Sequence, residues 1–244
     1  MSQSINNLRF LELSIPAKDV LSTLQTFQHL GFQTIQTNDI WDYPYVVISD
    51  GRCYIGIHQE ALYNKLSDNT RFVYVHNDVP STQRTLFDAG YTLQFTNLDN
   101  DNSVQQCLFQ SPSGFSTHIL AARTFSPLSE QINSALGYFR AYLVPNNDIN
   151  ASTAYWNHLG LLIADDTTGQ THVSTQGMHA ISGDIDYLTK PALLFEHSEP
   201  ESIIPILARY GIGLRLSDIQ ALPMDGLFAI DINGCLDLII KKED

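Results

Sequence analysis

Positive charge is scarce in this chain: 13 Lys and Arg stand against 26 Asp and Glu over 244 residues, a net charge of -13. A field of that sign repels phosphate backbones and anionic lipid, so neither nucleic acid nor a membrane surface is an expected partner. Cysteine is scarce too. Cys53, Cys107 and Cys235 are scattered, odd in number and without Cys-x-x-Cys spacing. That pattern argues against a disulfide framework or zinc ribbon and fits reduced thiols packed as small hydrophobes. No apolar run reaches the roughly 18 residues of a membrane span. The opening MSQSINNLRF lacks the basic start and apolar middle of a secretion signal, so the expected location is the cytoplasm. An HExxH helix, a phosphate loop and a GxSxG elbow are all missing, and with them the chemistries they carry.

What the chain does have is a repeat. FLELSIPAKDVLSTLQTFQHLGF, from Phe10 to Phe32, is echoed by FRAYLVPNNDINASTAYWNHLGL, from Phe139 to Leu161. Without a gap, Phe10 falls on Phe139, Pro16 on Pro145, Asp19 on Asp148, His29 on His158 and Gly31 on Gly160. Each copy begins as a strand, turns at a proline, starts a helix near the Asp and stops at Leu-Gly, where a helix end favours glycine. A repeat of this kind governs the architecture.

Read in order, the first unit is a strand at 8–15, a helix at 17–30 and strands near 44–50 and 53–59 joined at Asp50-Gly51. The second is RFVYVHN as strand, VPSTQRTLFDAG as helix, YTLQFT as strand and VQQCLFQ-SPSG-FSTHILA as hairpin. The second half repeats the order, with a strand at 137–144, a helix at 148–159 and the hairpin THVSTQGMHAIS around Gln176-Gly177. PALLFEH, PESIIPILARYG and GLFAIDINGCLDLIIKK then supply strand, helix and closing hairpin. Units two and four align as well, His76 with His197, Leu86 with Leu207 and Gly90 with Gly211. The expectation is an α+β protein of four βαβββ modules in two domains, 1–122 and 137–244, joined by a linker at 123–136.

Four such units in two pairs, with a "strand, V/I-P, D, helix, LG" opening and an SPSG-type turn before a closing strand, resemble the vicinal oxygen chelate superfamily. That group includes glyoxalase I, extradiol dioxygenases, fosfomycin-resistance enzymes and bleomycin-resistance proteins. The resemblance covers about residues 8–242 and implies U-shaped mixed sheets around cavities, which hold a divalent metal in the enzymes. It places the metal-ligand positions on the first strands at Phe10, Phe139, Arg71 and Ala192, and on the closing strands at His118 and Leu238. Only His118 carries a metal donor, so no metal and no other cofactor is expected. An unorthodox site would need Glu12 and His58 beside His118. The C-terminal cavity is expected to be degenerate.

Strand alternation puts Glu12 and Ser14 on the face of Phe10. Glu12 and His118 are the candidate catalytic pair. Phe10, Ser14, Trp41, Tyr43, Tyr54, His58 and Arg71 are the candidate ligand-binding residues, although WDYPY also reads as plain core and turn. Aromatics beside an acid suit a planar or cationic small molecule. His29 and His158 have the places of structural groups near helix ends, His76 and His197 of loop or capping groups.

Three readings follow. The first is a metal-independent small-molecule-binding protein of the bleomycin-resistance type, monomer or homodimer, with its ligand in the N-terminal cavity. The second is a lyase, isomerase or dioxygenase-like enzyme using Glu12 and His118. The third is an interaction protein whose cavities have filled with side chains. The first two require a cavity on the order of 300 Å³ near Glu12. Whether unit one closes with unit two or with unit four stays open at this level.

Overall fold

The structure, a computed structural model, describes residues 5, 7–37, 43–59, 70–121, 134–146, 148–165, 171–175, 178–183, 188, 191–213, 226–232, 234 and 236–243. The first module is β1 (Arg9–Ala17), α1 (Val20–His29), β2 (Gln33–Ile35), β3 (Tyr45–Ser49) and β4 (Tyr54–Gln59). The second is β5 (Arg71–Val75), α2 (Val79–Asp88), β6 (Leu93–Leu98), β7 (Val104–Gln110) and β8 (Ser116–Leu120). The third is β9 (Tyr138–Pro145), α3 (Ile149–His158), β10 (Leu162–Asp165), β11 (Thr171–Thr175) and β12 (Met178–Gly183). The fourth is β13 (Ala192–His197), a 3-10 turn at Pro200–Ile203, α4 (Ile204–Tyr210), β14 (Gly226–Ile232) and β15 (Leu236–Lys242).

Asp19, Asp78 and Asp148 each accept the N–H of the residue three further on, at 3.0 Å, and so fix where α1, α2 and α3 begin. Gly211, at φ 66°, closes α4 in the left-handed conformation that glycine adopts without strain.

The modules pair one with two and three with four. One mixed sheet runs β2-β3-β4-β1-β5-β8-β7-β6 and the other β10-β11-β12-β9-β13-β15-β14. In each, the first strands of two modules lie antiparallel at the centre, β1 on β5 and β9 on β13. A βαβββ module calls for a strand after its helix, but the places of the short strands β2 and β10 were not read from the sequence; with three and four residues they carry too little period to stand out. A third strand for module four would fall largely on 214–225, outside the described residues, as does the Gln176-Gly177 turn.

One face of each sheet carries the helices and meets the other sheet. Phe27, Leu86, Tyr155 and Leu207 from the helices join Leu13, Ile15, Phe195 and Leu238 from the strands in a single core spanning both halves. Phe10 packs on Tyr142 with ring centroids 5.2 Å apart, and Phe32 meets Phe195 at 6.4 Å. The opposite faces hold two smaller clusters. Leu11, Val73, Val75 and Leu120 form one; Ala141, Leu143, Ile181, Leu188, Ala192, Leu194 and Ile239 form the other. Among the described residues no helix is long and apolar enough to cross a membrane.

Candidate functional site

The helix-free face of the first sheet forms a trough at its centre, where β4, β1, β5 and β8 lie side by side. Glu12, Ser14, His58, Arg71 and His118 project into it, with Tyr43 and Tyr45, Leu11, Val73 and Leu120 completing the wall. All five of the former are buried. Register brings them together: Ser14 lies opposite Gly56 on one side and Arg71 on the other, Pro16 lies opposite His58, and Val73 lies opposite His118.

A β-bulge sets the face. Phe10 pairs with Tyr74 and Glu12 with Val73, so Leu11 is the extra residue, and Leu11 and Glu12 both turn to the trough. Phe10 is therefore not on the face of Glu12 and Ser14, as simple alternation would have it. It sits in the inter-sheet core among Phe72, Tyr74 and Tyr142. The same bulge recurs in β9, where Phe139 and Ala141 are paired and Arg140 is skipped.

Hydrogen bonds converge on the Glu12 carboxylate. Ser14 Oγ donates to Oε1 at 2.7 Å and Tyr45 OH to Oε2 at 2.9 Å. With its proton so committed, Ser14 Oγ accepts from His58 Nε2 at 3.2 Å, which leaves His58 Nδ1 to accept from Tyr43 OH, also at 3.2 Å. This sequence, Tyr43 to His58 to Ser14 to Glu12, requires a neutral imidazole carrying its proton on Nε2. Burial pushes the His58 pKa down in the same sense; nearby Glu12, 3.6 Å from Nε2, raises it and Arg71 lowers it further. His118 faces the trough from β8 and donates through Nε2 to Gln106 Oε1 at 2.9 Å. Gly56 makes room for the cluster, because a Cβ there would overlap the Glu12 carboxylate.

Of the residues expected at the site, Glu12, Ser14, Tyr43, His58, Arg71 and His118 share the trough. Phe10 and Tyr54 do not, Tyr54 lying at the far end of β4 from His58. Trp41 lies outside the described residues. Sequence reasoning took in Tyr45 only as the last residue of the WDYPY segment, and it missed Gly56. Tyr45 opens β3 two residues after Tyr43, which precedes the strand, so no strand period ties the two together, and the need for Gly56 shows only once Glu12 is placed above it.

The space left by these side chains is a cavity of about 10 Å³, room for one water, where about 300 Å³ was expected. Tyr43 and Tyr45 are half-buried members of its wall. A divalent metal fits this donor set poorly. Glu12 and His58 are the adjacent pair, no group of three His, Cys, Asp or Glu among the described residues is arranged to hold an ion, and a guanidinium stands in the wall.

The equivalent trough of the second sheet is apolar. Register places Ala141 where Glu12 stands, Leu143 for Ser14, Ile181 for Gly56, Ala192 for Arg71 and Ile239 for His118. The family resemblance placed this position at Leu238; the pairing of Leu194 with Ile239 moves it by one and sends Leu238 to the inter-sheet core.

Against solved structures the chain matches ring-cleaving dioxygenases over nearly its whole length. The 2,3-dioxygenase LapB from Pseudomonas sp. KL28 aligns with a TM-score of 0.60 at 12% identity, over 96% of this chain and 92% of that one. A catechol 2,3-dioxygenase aligns with 0.57 at 14%, over 97% and 88%. An extradiol ring-cleaving dioxygenase from B. fuscum aligns with 0.56 at 12%, over 100% and 74%. No protein-family model and no curated protein sequence matches. The chain thus has the fold of these dioxygenases, the vicinal oxygen chelate fold, here built on two mixed sheets.

Proposed function

We propose that this protein binds a small planar molecule in the N-terminal trough without a resident metal, acting in the cytoplasm as a monomer or homodimer and engaging neither nucleic acid nor membrane. The observation that carries this is the difference between the two troughs. The second shows that the same strands close well over Ala, Leu and Ile. The first instead holds a carboxylate, a guanidinium, two imidazoles and a hydroxyl, each of which costs free energy to bury. Folding does not require that cost, so binding accounts for it. Glu12 and Arg71 offset each other in charge, which favours a neutral aromatic with a polar edge over a simple cation. The trough as it stands holds about one water, short of the roughly 300 Å³ a small molecule needs, so this reading requires Tyr43 and Tyr45 to swing aside and open it. The test is titration calorimetry with phenolic and heteroaromatic compounds in the presence and absence of a chelator. Saturable binding that survives the chelator supports the reading; binding that the chelator abolishes contradicts it.

Two other readings each have an observation behind them. The likeness to ring-cleaving dioxygenases favours an enzyme, a lyase, isomerase or dioxygenase-like activity with Glu12 as base and His118 as acid. Each Glu12 oxygen keeps a further acceptor site beyond the hydroxyl it already binds. Turnover lost in both Glu12→Gln and His118→Gln would establish it. The 10 Å³ cavity favours an interaction protein with a filled trough, which predicts no small-molecule binding at all.

A further inference from the structure

Two histidines stand side by side on the second sheet. His172 on β11 and His179 on β12 are seven residues apart in sequence, and the antiparallel pairing of the two strands brings them together. His172 lies opposite Ile181 and His179 opposite Ser174, so they are diagonal neighbours on one face. Ile181 tells which face: it belongs to the apolar trough cluster, whereas Met178 and Ala180, on either side of His179, belong to the inter-sheet core. The pair therefore borders the apolar trough, with His179 exposed and His172 half-buried.

Their nitrogens meet. His172 Nδ1 lies 3.1 Å from His179 Nε2, with the ring planes within 21° and the centroids 5.3 Å apart, so the rings face each other edge to edge. His179 Nδ1 lies 3.3 Å from the Arg140 carbonyl oxygen, which can only accept; in the neutral ring Nδ1 carries the proton and Nε2 keeps its lone pair. A backbone carbonyl holding the far nitrogen of an imidazole is the arrangement that orients metal-bound histidines. At bond lengths of about 2.0–2.1 Å to imidazole nitrogen, two nitrogens 3.1 Å apart subtend about 98° at a shared ion. That lies between the right angle of a square or octahedral centre and the tetrahedral angle, and an outward turn of both rings aims their lone pairs at such a point. The nearby Arg140 guanidinium is offset by Glu196, Nε to Oε2 at 3.0 Å, and the net charge of -13 draws cations to the surface.

We infer that His172 and His179 form a metal site for a single divalent ion of the copper, nickel and zinc class, bound through His172 Nδ1 and His179 Nε2 with water in the remaining positions. Neither ring has to be unpartnered for this, because the ion takes over a contact they already make. It replaces the proton shared between them, and His172 then carries its N–H on Nε2. Imidazole suits these metals, whereas magnesium and calcium want several oxygens. The site is separate from the N-terminal trough, which lies on the other sheet.

The experiment is calorimetric titration of the full chain with nickel, copper(II) and magnesium chlorides, on the parent and on His172→Gln, His179→Gln and Glu12→Ala. The parent is expected to bind copper(II) and nickel saturably, copper(II) more tightly, and magnesium not at all. Each histidine variant is expected to weaken nickel by about tenfold or more, because the remaining imidazole loses its linked partner. Electron paramagnetic resonance of the copper(II) complex is expected to show two bound nitrogens in the parent and one in either variant. Glu12→Ala is expected to bind like the parent. His179 is exposed, so His179→Gln decides the matter even if the His172 variant fails to fold. No saturable binding of copper(II) or nickel, nickel affinity unchanged in His179→Gln, or affinity lost in Glu12→Ala would each overturn the proposal.

Discussion

At Gly56 a single hydrogen atom stands where any other side chain would strike the Glu12 carboxylate. Gly56→Ala is expected to cost about 1–3 kcal/mol in urea unfolding, the cost of an overpacked site. Combining it with Glu12→Ala is expected to recover much of that loss, because the two changes share one space and do not add. Equal losses in both backgrounds would mean that the glycine serves the backbone alone. His58 gives a second handle. Its imidazole is buried neutral, with its pKa below the usual 6.5, so the unfolded chain binds more protons than the folded one as pH drops past 6.5. The stability it contributes is present above that pH and is lost progressively below it. Between about pH 7.5 and about pH 5.5 the parent should therefore lose more unfolding free energy than His58→Gln does. Parallel losses in the two proteins would contradict the buried neutral ring.

Among the elements, the four modules were legible because their signals are local and repeated: an Asp to cap, a Leu-Gly to stop, a glycine in the turn. The polar trough was largely legible too, since Glu12, Ser14, His58, Arg71 and His118 sit at the positions where this fold turns side chains inward. The face of Phe10 was not. A bulge adds one residue without changing composition, and only the pairing of Phe10 with Tyr74 and Glu12 with Val73 reveals it. The one-residue shift from Leu238 to Ile239 is likewise a matter of register, which only the pairing of Leu194 with Ile239 settles. The comparison of troughs carries its own prediction at this scale. Writing the second trough into the first, with Glu12→Ala, Ser14→Leu, Gly56→Ile, Arg71→Ala and His118→Ile together, should leave a folded protein at least as stable as the parent. Replacing buried polar networks by packed apolar groups is often neutral or stabilising by about 1–4 kcal/mol. A chain that fails to fold would mean that the polar cluster is structural.

Over the whole molecule, the two sheets are held by one core rather than two. Phe10 from the first half touches Tyr142 of the second, and Tyr74 OH donates to Met178 Sδ at 3.4 Å across the same boundary. The segments before the two first strands also cross over, with the Ile5 N–H on the His158 carbonyl and the Ala135 N–H on the Leu30 carbonyl. The ends of the two long-repeat helices follow suit, His29 stacking on Tyr210 and His158 Nδ1 lying 3.0 Å from the Tyr91 hydroxyl. Thermal unfolding should accordingly be one transition seen alike by probes in either half. Phe10→Ala should lower that single transition by the equivalent of about 3–5 kcal/mol. Two separable transitions, only one of them shifted, would show the halves to be independent.

Everything about function rests on the polar trough being kept for a guest. The most direct measurement is a ligand-induced melting shift across a panel of neutral aromatic compounds, run on the parent and on the five-residue trough replacement side by side. A compound at about a hundred times its Kd stabilises a one-site protein by about 2.7 kcal/mol, so at least one compound should raise the melting temperature of the parent and leave the replacement unmoved. If no compound shifts the parent, or if the same compounds shift both proteins equally, the trough is not a binding site.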